Sequence, residues 1–166
     1  MINGARVLAS AVAVAAAVLL AGCGSNTPQP VGNPDPGGRL LAAIKPVLTV
    51  APAGAHISSR DVVAPMWDSC DGVVSTYGWD DPTVDLTFTG GGTDAQVVAH
   101  LKSALRTLGW TFDTANSAPT GPWYWRKTVT KNVQGTVRLL GGAAFQPTDW
   151  DLQATTPPAA RPSTGC

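Results

Sequence analysis

Thr83-Val84-Asp85-Leu86-Thr87-Phe88-Thr89-Gly90-Gly91-Gly92-Thr93-Asp94-Ala95-Gln96-Val97-Val98 is the stretch that decides the fold. Val84, Leu86 and Phe88 alternate with polar residues, the period-2 pattern of a strand buried on one side only. Three glycines break the strand. Thr93 with Gln96 three residues on then forms a capping box, and Asp94 suits the positive end of a helix. Val97, Val98, Leu101, Ala104, Leu105 and Leu108 make one apolar stripe, while His100, Lys102 and Arg106 face elsewhere. Gly109 closes the helix as a C-cap glycine does. A helix over 94–108 is roughly 22 Å long, enough to lie across a small sheet.

Downstream, strand candidates alternate with turn residues. Trp110–Asp113 is one, and Trp123–Val129 is another, with Trp123, Trp125 and Val129 on one face and Tyr124, Arg126 and Thr128 on the other. A Lys131-Asn132 turn leads to Gly135–Leu140, and Gly141-Gly142 with Pro147 leads to Trp150–Ala154. Loops this short favour antiparallel neighbours. Upstream, Arg39–Leu48 has helical spacing limited by Pro46, and the segment through His56 and Val62-Val63 reads as a short strand. Trp67–Gly72 and Tyr77–Pro82 read as turns. The expected fold is α+β: an antiparallel sheet of about five strands, with the helix at about 94–108 packed on its apolar face.

The amino terminus carries a different message. One charge, Arg6, precedes an apolar run from Val7 to Ala21, which is shorter than the about 20 residues a membrane-crossing helix needs. The run ends in Leu20-Ala21-Gly22-Cys23, which resembles the lipobox of bacterial lipoproteins at every position. That resemblance implies cleavage before Cys23 and a diacylglycerol on its sulfur, with residues 1–22 as signal peptide. The Ala, Gly, Pro and Asp bias and the lack of glutamate are similar to small actinobacterial, mycobacterial-type lipoproteins. The expected location is the cell membrane, lipid-anchored on the extracytoplasmic side. Residues 23–38, rich in Pro and Gly, read as a tether, 39–154 as a single α+β domain, and 155–166 as a Pro-rich tail.

Of the three cysteines, Cys23 is taken by the anchor. Cys70 and Cys166 are then an even pair in an oxidising compartment, where a disulfide is the expected outcome. Without Arg6 the eleven acidic residues, all aspartate, outnumber the basic ones by one. No Lys/Arg cluster exists, so nucleic acid is not an expected partner.

No nucleophile motif, zinc motif or phosphate loop occurs, so no catalytic, cofactor-binding or metal-binding residue is assigned and no enzyme is expected. Asp68, Asp71, Asp80 and Asp81 fit ordinary turn chemistry. Four of the six tryptophans, Trp110, Trp123, Trp125 and Trp150, fall on inward positions and read as framework. Trp67 and Trp79, together with Tyr124, Arg126 and Arg138 on the outward sheet face, are the candidate ligand surface. The expected function is binding, or a non-catalytic accessory role in an envelope complex. One alternative is a carrier or sensor of a lipid or glycan through a tryptophan-lined pocket. The other is a hydrolase, which would gather His56 or His100 with aspartates in one cleft.

Overall fold

The structure is a computed structural model that describes residues 35, 37–68, 78–141 and 149–157. Cys23, Cys70 and Cys166, the segment 1–22 read as a signal peptide and the Pro-rich tail from 158 on lie outside the described residues. Six strands form one antiparallel sheet: β1 (Ala55–Val63), β4 (Thr83–Gly90), β5 (Thr111–Phe112), β6 (Trp123–Thr130), β7 (Val133–Gly141) and β8 (Asp149–Thr155), in the order β1-β4-β8-β7-β6-β5. Helix α1 (Arg39–Ile44), a 3₁₀ segment (Lys45–Thr49) and helix α2 (Asp94–Thr107) all contribute to one core with the sheet's apolar face. The architecture is α+β, as the periodicities imply.

Sheet order follows from burial. Leu86 of β4, Leu152 of β8, Leu139 of β7 and Trp123 of β6 are successive register partners, so one cross-strand row is apolar from strand to strand. All four are buried. The last strand therefore inserts between β4 and β7, leaving β1 and β5 at the edges. Successive antiparallel pairings make β4 and β5 parallel, and α2 is the crossover between them. The helix spans the sheet because its connection must.

Local chemistry fixes each helix end. The Thr93 hydroxyl accepts from the Gln96 amide at 3.4 Å, and Gln96 Oε1 accepts from the Thr93 amide at 2.9 Å, completing the capping box. Gly90, Gly91 and Gly92 all have positive φ, and a Cβ on Gly91 would sit 3.1 Å from Pro52. At the other end Lys127 Nζ donates to the Leu108 carbonyl at 2.8 Å, a cation against orphan helix carbonyls. Helix α1 is capped from a distance: the Asp35 carboxylate accepts from the amides of Leu40 and Leu41 at about 3 Å.

Several expectations change. The segment around His56 is a nine-residue strand rather than a short one, and it makes the sheet six-stranded. Its register slips between Ile57 and Ser59, which breaks the alternation that would have announced it. Trp67-Asp68 and Gly78-Trp79 are a two-stranded ribbon, β2 and β3, rather than turn residues. The strand after Gly109 is only Thr111–Phe112, because the chain bends away at Asp113.

Candidate functional site

The bend at Asp113 creates the most site-like feature. Asp113 Oδ1 accepts from the Asn116 amide at 3.2 Å, and its Oδ2 accepts from Asn116 Nδ2 at 2.7 Å. The Ser117 hydroxyl donates to the Asp113 carbonyl and accepts from the Tyr124 amide, stitching the loop to β6. Arg126 pairs with the same carboxylate from the next strand position. Asn116 first, and Arg126 with it, hold Asp113 below the usual carboxylate range. The loop is therefore a fixed wall.

Between that wall and α2 lies a groove of about 660 Å³, within the size range of small-molecule sites. Ala95, Val98 and Ala99 line the helix side, Ala118 and Pro119 the loop side, and Phe112 and Trp123 also line it. Trp123 is only 4% exposed. Its ring lies 6.0 Å from that of Trp150, which stacks on Phe88 at 6.3 Å, so this part of the lining is backed by the core and rigid. Lys102 and Asp94 are the charged residues of the lining, with Thr114 and Thr120 adding hydroxyls. The Lys102 ammonium rests 3.9 Å from the centre of the Phe112 ring.

On the opposite sheet face a second constellation forms. The register aligns Asp61, Asp85, Gln153, Arg138 and Tyr124 in one row across five strands. Arg138 donates to Gln153 Oε1 at 3.4 Å, and Gln153 Nε2 donates to Asp85 Oδ2 at 3.5 Å. Asp151 lies diagonally across from Asp85 on β8. Burial first, then the charge and hydrogen bonding of Asp151, push the Asp85 carboxyl up to about 6, while Gln153 opposes the shift. Oδ1 of Asp85 and Oδ1 of Asp151 are both buried and have no hydrogen-bond partner.

The candidate ligand surface expected from the sequence divides in three. Trp67 and Trp79 meet edge to face at 5.7 Å on the β2–β3 ribbon, away from the groove. Tyr124 and Arg138 share the polar row. Arg126 is occupied by Asp113 and donates to Gln134 Oε1 at 3.2 Å, so it holds the loop in place. His100 is exposed, as its position on the polar helix side implies, yet its Nε2 meets the Val50 carbonyl at 3.1 Å. His56 is exposed on β1 opposite Thr89, and neither histidine forms a cleft with Asp85 and Asp151. Among the described residues no group of three or more His, Cys or Asp is placed to hold a metal ion.

Lys102 and the 113–122 wall were missed by sequence reasoning. The available signal was Asp113-Thr114-Ala115-Asn116, an Asx-type turn spacing that fixes a loop instead of leaving it slack. No protein-family model, no curated protein and no solved structure matches the chain.

Proposed function

We propose that this chain is a lipid-anchored protein of the cell envelope, held on the extracytoplasmic side through Cys23, that acts by binding and not by catalysis. The groove between α2 and the 113–122 loop is its ligand site, and the ligand is a single-chain amphiphile with an anionic head. The observation that carries this reading is the composition of the groove: a mainly apolar lining with one cation, Lys102, and one anion, Asp94. An acyl chain along Val98, Phe112 and Trp123 would bury its methylenes at about 0.8 kcal/mol each. Lys102, lifted from the Phe112 ring, would meet the head group, and Asp94 at the far end of the groove would fix the polarity.

The test uses the full-length chain and 11-dansylaminoundecanoic acid, whose fluorescence rises in an apolar site. Lys102→Glu should weaken binding about tenfold, equivalent to about 1.4 kcal/mol. It should leave the uncharged alcohol of the same probe unaffected. Ala99→Trp, which fills the groove, should abolish binding of both. If the acid binds equally well to all three chains, the groove is not the site.

The Asp85–Asp151 pair favours the hydrolytic reading in one respect, since neighbouring carboxyls of which one is pushed up by burial and by the other can divide acid and base roles. The pair sits at diagonal positions on neighbouring strands without a histidine partner, and the non-catalytic reading stands ahead of it. Ester or glycoside turnover that disappears in Asp85→Asn would reverse that order.

A further inference from the structure

The large apolar side chains exposed among the described residues fall in one short stretch: Val62 at 45%, Val63 at 46% and Met66 at 64%. They lie where β1 leaves the sheet. Val62 is the register partner of Val84 and Val63 that of Thr83, so the two point to opposite sides of the strand end, and both sides are apolar and exposed. Just beyond, Trp67 and Trp79 form their edge-to-face pair, and the Asp80 amide donates to the Met66 carbonyl at 2.8 Å. The aliphatic side chains and the indoles therefore belong to one tip.

The direction of the preceding chain adds a second observation. Pro52 packs against Gly91, and the Leu48 carbonyl accepts from Arg60, the register partner of Leu86. Going upstream, the chain moves along β4 from its Gly90 end towards its Val84 end. The 3₁₀ segment and helix α1 both pack against β4, the strand whose Thr83–Val84 end pairs with Val62 and Val63. At about 3.5 Å per residue, Cys23 can stand no more than about 40 Å of chain from Asp35. That length of chain lets the tip reach the bilayer that would hold Cys23.

We infer that the Val62–Val63–Met66 tip with Trp67 and Trp79 is a membrane-contact surface, and that it rests in the head-group layer of the bilayer that carries the lipid on Cys23. This rests on the lipid-anchor reading proposed above. Indoles favour the boundary between head groups and acyl chains, and short aliphatic side chains gain by leaving water there. Asp80 follows Trp79 directly and is exposed, and its carboxylate keeps the insertion shallow and disfavours anionic head groups. Contact at the tip orients the domain instead of leaving it to swing on its anchor.

The experiment takes the full-length lipidated chain, carrying the photo-crosslinker benzoylphenylalanine in place of Met66 or, as control, in place of Ala115 at the opposite edge of the sheet. Each is reconstituted in phosphatidylethanolamine–phosphatidylcholine vesicles, floated on a density gradient, irradiated and read by mass spectrometry. Phospholipid adducts at position 66 at least ten times more abundant than at position 115 are expected. Vesicles that float with the protein but give no excess at 66 would overturn the contact surface while leaving the anchor intact. Crosslinks from 66 to polypeptide in place of lipid would overturn it too. A chain that does not float and carries no fatty mass would remove the anchor reading and this inference with it.

Discussion

Asp85 shows how much one position can hold that its residue type does not announce. On an alternating strand it is an ordinary outward aspartate, but with Asp151 diagonal to it and Asp61 beside it, it takes up a proton near pH 6. Because the folded pKa is raised, the folded state binds the proton more tightly than the unfolded chain does. The resulting stability is complete below about pH 4 and is lost as pH rises through about 6. Asp85→Asn, which keeps an amide in the same contacts, should remove that slope. At pH 7 it should be more stable than the parent by about 1 kcal/mol, allowing for partial solvent screening. Urea midpoints between pH 4.5 and 7.5 measure this, and a parent midpoint that rises with pH would contradict the sign. Gly141 is a second position of this kind: its φ of 144° and the 2.5 Å that would separate a Cβ from the Asp149 carbonyl admit no side chain. Gly141→Ala should cost more than 2 kcal/mol, seen as a fall in Tm.

Elements hold because several weak devices agree. Helix α2 has a capping box at one end and Lys127 at the other, and between them Val97, Val98, Leu101 and Leu105 are buried. Thr93→Ala should lower stability by about 1 kcal/mol. Since Asp94 and Ala95, in the first turn, line the groove, it should also weaken amphiphile binding more than an equally destabilising change at the far helix end. Chemical denaturation and the dansyl titration, run on the same variant, separate the two effects. Strand β1 shows the converse case. It is an edge strand with a register slip, so its sequence carries neither a continuous apolar run nor a clean alternation, and only pairing with β4 makes it a nine-residue strand.

At the scale of the whole molecule the proposed arrangement is a domain tethered through Cys23, with an exposed apolar tip at the β1 edge of the sheet and a groove near the β5 edge. Cys23→Ala should move the protein from the detergent phase to the aqueous phase in a phase-partition assay. It should leave the urea midpoint within about 0.5 kcal/mol of the parent, because residue 23 precedes the folded domain; unchanged partitioning would refute the anchor. The sequence by itself determined the strand at 83–89, the capped helix with its buried stripe, the inward set of Trp110, Trp123, Trp125 and Trp150, and the polar outward face. Each of these is a local periodicity or a local cap, set by which side of an element must leave water. Only the tertiary structure decided that the last strand lies between β4 and β7, that Asp85 and Asp151 share a face at diagonal positions, and that Lys102, Phe112 and Trp123 meet across a groove. Periodicity states which face is buried but not against what, and those neighbours come from distant parts of the chain, chosen by the packing that buries all the apolar faces at once.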